Sequence, residues 1–163
     1  MSEVSQLIEA LSVEEVDAIE AEITHLPNRE SAAIEAMRIV QEKRGWISDE
    51  SLRAIARLLG MSTEALDSIA TFYNLIFRKP VGRHVLMLCD SVSCYVMGCD
   101  KVRTAVCDQL GVEMGETTPD GRFTLLPIVC LGACDRAPVM TIDEELITHL
   151  SADSIPDILS GFD

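Results

Sequence analysis

All six cysteines of the chain fall between positions 89 and 134, and four of them form two short motifs, Cys89-Asp-Ser-Val-Ser-Cys94 and Cys130-Leu-Gly-Ala-Cys134. Four thiolates make a soft donor set that suits an iron-sulfur cluster or a structural zinc ion above other metals. Spacing bears on the choice. Structural zinc sites commonly leave two residues between paired cysteines, so that one tight turn aims both sulfurs at a single ion. Here the gaps are four and three residues. Such loops fit better around a two-iron cluster, whose ligands are divided between two metals. The spacing favours a [2Fe-2S] cluster, with zinc as the second reading.

Other chemistries fare worse. A plant-type C-x4-C-x2-C frame would need a cysteine at 97, where the chain has Met97. A thioredoxin-type redox enzyme would need C-x-x-C, which does not occur. Dithiol exchange is thereby demoted to a third reading, one that would require an exposed cysteine of low pKa. His25, His84 and His149 are dispersed and stand at no ligand-like interval from a cysteine, so a Rieske-type site finds no support. Cys99 is less easily placed, because it forms a second C-x4-C frame with Cys94 and spacing alone cannot choose between them. Context favours packing: Cys99, Val102, Val106 and Leu110 share one helical face, which makes Cys99 a small apolar residue of a core. Cys107, on the same helix, also reads as packing.

The elements around the motifs place them. HVLMLC is a β-prone run ending at Cys89, and FTLLPIVC, after the PDG turn at 119–121, is a second strand ending at Cys130. If those strands are neighbours, both motifs leave the same edge of a sheet. Gly132 would let the second loop curl and offer amide hydrogens to sulfur, which stabilise added negative charge. Asp90, Ser91 and Ser93 could do the same in the first loop or simply cap it. Pro138 shapes the approach to a further strand. A helix through Val102–Leu110 closes at Gly111, VMTID and LITHL form a hairpin, and Ser151 caps a last helix through Ile155 and Leu159. This order fits a small thioredoxin-like α/β layout.

Upstream, apolar residues recur at helical spacing. Ser12 and Glu15 make a capping-box start for a helix bearing Val16, Ile19, Ile23 and Leu26, broken by Pro27 and Asn28. Ile34, Met37 and Val40 mark a second helix ending at Gly45, with Trp46 expected to cap the core. Leu52, Ile55 and Leu59 mark a third, and Ser62 starts a fourth through Ala65, Ile69 and Phe72. The stretch RKPVGR at 78–83 reads as a connection between domains. The expected fold is therefore α+β, with an N-terminal helical bundle over 1–80 followed by a thioredoxin-like cluster domain over 81–163. Arg78, Lys79, Arg83 and His84 form the one dense basic stretch, read as a solvated linker in preference to a contact for an acidic partner.

Composition sets limits on partners. The 163 residues carry a formal net charge of -14, and residues 1–30 hold eight acidic side chains against Arg29 alone. Phosphate backbones and anionic membranes would be repelled, so neither nucleic acid nor direct membrane insertion is expected. No run approaches the roughly 20 apolar residues of a spanning helix, and the acidic opening lacks the form of a signal peptide. A cytoplasmic protein is expected, where cysteines serve as ligands in preference to disulfides.

The stretches CDSVSC, DGRFTLLP and CLGACDRAPV, with GW and ATFY upstream, resemble the 24 kDa-type small iron-sulfur subunits of respiratory complex I. The resemblance extends from about residue 30 over nearly all the chain. It implies one [2Fe-2S] cluster with Cys89, Cys94, Cys130 and Cys134 as ligands, and no ligand role for Cys99 or Cys107. It also implies a flavoprotein partner that binds FMN and NADH and performs the hydride chemistry, in a peripheral arm on the cytoplasmic face of the inner membrane. This chain would carry single electrons and supply no acid, base or nucleophile. Equivalent modules occur in NAD-dependent formate dehydrogenases and in NAD-reducing or bifurcating hydrogenases. The DSVSC and DGRFTLLP stretches look closest to bacterial members of the quinone-reducing group.

Overall fold

A computed structural model of the chain describes residues 10–162, so the first nine residues of the acidic opening lie outside it. The described residues form two compact units, divided between Pro80 and Val81.

The first unit is helical. Helix α1 (Val13–Ile23) starts at a complete capping box: Ser12 Oγ accepts the Glu15 amide, and Glu15 Oε2 accepts the Ser12 amide at 2.7 Å. Helices α2 (Ala33–Arg44), α3 (Asp49–Leu59) and α4 (Thr63–Phe72) follow. Ile19, Met37, Val40, Leu52, Ile55, Leu59 and Leu66 meet in one apolar core. Gly45 ends α2 at φ 81°, a left-handed cap that a side chain would strain. Glu15 is a buried acid, held by Arg44 through Nε at 2.8 Å and Nη2 at 2.5 Å.

Four expectations are corrected here. Leu26 lies beyond the end of α1, in a turn, although it still packs on the core. Ile47, fully buried, closes the core beyond α2, while Trp46 stays partly exposed. On α4 the buried face is Leu66 and Ala70, and Phe72 is 77% exposed. Arg78 is no solvated linker residue: it donates to Asp67 at 2.8 Å, to Asp49 at 2.7 Å and to the Ile47 carbonyl, stitching the C-terminal end of the unit to α3 and α4.

The second unit is built on a four-stranded sheet of order β2-β1-β3-β4. Strand β1 (His84–Cys89) is central and buried on both faces, which is why it reads as an unbroken apolar run. It pairs in parallel with β2 (Phe123–Ile128) and antiparallel with β3 (Met140–Ile142), which forms a hairpin with β4 (Glu145–Ile147). Strand β2 lies at the edge, where Pro127 costs no interior ladder bond. Between β1 and β2 the chain forms a short helix α5 (Val92–Val96) and helix α6 (Cys99–Leu110); α7 (Ile155–Ser160) follows the hairpin. Val102 and Val106 of α6 pack with Leu86, Leu88, Leu125, Met140 and Ile155 in the core. His84, expected in the basic stretch, belongs to β1, and its Nδ1 lies 2.7 Å from Asp143 Oδ2.

Candidate metal centre

Because β1 and β2 run parallel with Cys89 opposite Ile128, the loops after both strands leave the same edge of the sheet. The Asp90 amide donates to the Ile128 carbonyl at 3.1 Å, and the Cys89 amide donates to the Val139 carbonyl at 3.2 Å. Three segments thus meet around the cysteines: the turn into α5, the loop 129–134, and the stretch that runs through the cis Ala137–Pro138 bond into β3.

The four candidate ligands form two pairs. Cys89, ending β1, and Cys94, on α5, are buried at 1% exposure, in one apolar cluster with Cys99, Ala133, Ala137 and Val139. The Cys89 thiol donates to the Val129 carbonyl at 3.5 Å. Burial, reinforced by the neighbouring Cys89 and Cys99 and opposed by the Val139 backbone, pushes the Cys94 thiol up to about 11. Cys130 and Cys134 are exposed, with their sulfurs 3.9 Å apart. Gly132, at φ 73°, turns the loop so that its amide donates to Cys130 Sγ at 3.3 Å.

This donor set fits a two-iron cluster. Two thiolates on one tetrahedral metal, with bonds of about 2.3 Å, have sulfurs about 3.8 Å apart, close to the separation of Cys130 and Cys134. A two-iron cluster divides four thiolates between its metals, two to each, as the pairs Cys89/Cys94 and Cys130/Cys134 would supply them. Cys99 is the first residue of α6 and is buried, and Cys107 packs on the sheet core. Burial raises both thiols above their ordinary range.

No periodic signal in the sequence marks helix α5. It carries Cys94 inward and leaves Val92, Tyr95 and Val96 facing out. Met97 just after it and Val129 of the second loop are also exposed, so apolar side chains flank both cysteine motifs.

A thioredoxin-like sheet with two cysteine pairs at one strand edge defines a class, and the chain belongs to it: residues 19–163 match the thioredoxin-like [2Fe-2S] ferredoxin family. Within that class the chain is 47% identical over 152 residues to the E subunit of the NADH-quinone oxidoreductase of Escherichia coli K12, covering 93% of this chain and 92% of that protein. The corresponding protein of Pseudomonas aeruginosa is 43% identical with the same coverage. Among solved structures, an NAD+-reducing [NiFe]-hydrogenase superposes with a TM-score of 0.68 at 20% identity. The match covers 80% of this chain and 22% of the hydrogenase chain, a likeness of fold alone.

Proposed function

We propose that the chain is the [2Fe-2S] electron-transfer subunit of an NADH:quinone oxidoreductase, with the cluster held by Cys89, Cys94, Cys130 and Cys134. The observation that carries this reading is the meeting of two cysteine pairs at the shared edge of β1 and β2. The bacterial NADH-quinone oxidoreductase relatives favour the quinone-reducing complex over a formate dehydrogenase or hydrogenase.

The cluster, when bound, supplies one-electron chemistry, whereas hydride from NADH delivers two electrons at once. FMN and NADH therefore belong on a flavoprotein partner, and this chain's part is to hold its cluster within reach of it. The residues flanking the motifs suit that part. Val92 and Val96 are 76% and 75% exposed, and Tyr95, Met97 and Val129 are exposed too, so an uncovered apolar surface flanks both cysteine motifs in the chain. Such a surface is costly in water and gains from cover by a protein partner. Among the described residues no helix is long and apolar enough to cross a membrane. That agrees with a place in a peripheral arm on the cytoplasmic face, held by neighbouring subunits.

The test is reconstitution. The isolated chain should not oxidise NADH, since it carries no Gly-rich dinucleotide fingerprint. Adding an FMN-loaded flavoprotein subunit of the same complex should let NADH reduce the cluster. NADH turnover by the chain alone, or no reduction with the partner present, would count against the reading.

A further inference from the structure

A metal ligand is only as well placed as the groups that hold its backbone. The turn that begins at Cys134, Cys134–Arg136, has one internal bond, from the Arg136 amide to the Ala133 carbonyl at 3.0 Å, and no side-chain cap. Strand β3 begins only at Met140, so the carbonyls of Arg136 and Pro138 lie outside the sheet ladder. They are met by the segment that leaves β4: the His149 amide donates to the Arg136 carbonyl at 2.8 Å, and the Leu150 amide to the Pro138 carbonyl at 3.0 Å. Resting on the function proposed above, we infer that His149 is a positioning residue for the cluster, bracing the Cys134 loop through its left-handed backbone.

The brace needs an unusual backbone. Along an extended strand successive amides point to opposite sides, so two neighbouring residues do not both donate to one segment beside them. Here His149 and Leu150 do, because His149 lies at φ 55°, in the left-handed region. The strand register agrees. Met140 pairs with Ile147, and that register, continued, would set Pro138 against His149, yet the amide that reaches Pro138 is that of Leu150. One extra residue is taken up at His149, as in a β-bulge whose first residue is left-handed. The His149 side chain is exposed, and it is the backbone of the position that touches the loop. Leu150 beside it is buried in the core of the sheet, which anchors the brace. Beyond Pro138 the chain runs to Val139, whose carbonyl accepts the Cys89 amide at 3.2 Å. The brace thus bears on both cysteine motifs where they meet.

The experiment uses the full chain, loaded with its cluster under anaerobic conditions, in the variants His149→Gly, His149→Val and His149→Pro. Gly takes up a left-handed backbone freely, β-branched Val resists it, and Pro forbids it and lacks the amide. The rate at which excess iron chelator bleaches the visible absorption is measured, with the electron paramagnetic resonance spectrum after dithionite. His149→Gly should match the wild type in both. His149→Val and His149→Pro should lose iron about tenfold faster or more, and their reduced spectra should shift or broaden. Ile155→Val, in the core of the same unit, controls for stability and should leave both readouts unchanged. Three results would overturn the inference: faster loss in His149→Gly, which would make the imidazole the acting group; equal acceleration in Ile155→Val; or a wild-type rate in His149→Val. If the variants bind no iron, hydrogen exchange on the iron-free chains decides the matter. The Arg136 and Cys89 amides should exchange faster in His149→Val than in the wild type or His149→Gly, and unchanged exchange would contradict the brace. Absence of a cluster from the wild-type protein would defeat the proposed function instead, while the exchange comparison would still judge the brace, so the two failures are distinguishable.

Discussion

Cys89, the last residue of β1, stands opposite Ile128, the last residue of β2, in parallel register. This pairing brings the two motifs to one edge despite the long stretch of chain between them. A slip of one residue would turn Cys89 to the opposite face of the sheet. The metal centre thus depends on the same hydrophobic register that builds the core.

Cys94→Ala should abolish the visible absorption of the purified protein, whereas Cys99→Ala should leave it intact. Cys99 packs in the same buried cluster, so its loss should cost about 1 kcal/mol of stability and no iron. Loss of colour in the Cys99 variant would show that the second C-x4-C frame binds the metal.

Glu15 and Arg44 give a stability prediction for the helical unit. Burial raises the Glu15 carboxyl, but hydrogen bonds from Arg44 and the Ser12 amide, with the charges of Arg44 and Lys43, outweigh it and hold the group below its ordinary value. The Glu15 side chain is 2% exposed and that of Arg44 is 35% exposed. Arg44→Ala should therefore destabilise the protein by about 2–4 kcal/mol, less than for a fully enclosed pair. A carboxyl lowered in the folded state contributes stability above its unfolded pKa and loses it as pH falls toward the folded one. Denaturant titrations should find the wild-type advantage over Glu15→Gln shrinking through the acid range. An advantage unchanged with pH would show that the carboxylate is not the stabilising species.

Ser62 caps α4 through the Ala65 amide at 3.1 Å. Ser62→Ala should cost about 1 kcal/mol in equilibrium unfolding, leaving the visible spectrum unchanged.

Val96 tests the docking surface. Val96→Asp places a charge on the exposed side of α5 and should weaken binding to the flavoprotein subunit about tenfold or more, at unchanged iron content. Equal affinity by calorimetry would move the interface elsewhere on the chain.

Much of this was legible in the sequence, and the exceptions have physical causes. The α6 face of Cys99, Val102 and Val106 was plain because buried and exposed positions alternate there at helical period. The strands ending in the two motifs were plain because the run 84–89 is apolar throughout and PDG marks a turn. Helix α5 was hidden: it is one short turn rich in Ser and Val, with Val92 and Val96 exposed in place of an inward stripe. On α4, Ala65, Ile69 and Phe72 compete with Leu66 and Ala70 for the inward face, and periodicity cannot choose between adjacent stripes. Arg78 looked like a linker residue because its carboxylate partners, Asp49 and Asp67, are remote in sequence. The two-pair division of the cysteines, with one pair buried and one open, depends on the strand register and on α5, and neither can be read from spacing.

The most direct test of the central claim is iron and acid-labile sulfide analysis of anaerobically purified protein, with electron paramagnetic resonance before and after dithionite. Equal iron and sulfide, with a signal that appears only on reduction, is the predicted result. Tightly held zinc without sulfide, and no signal in either state, would contradict it.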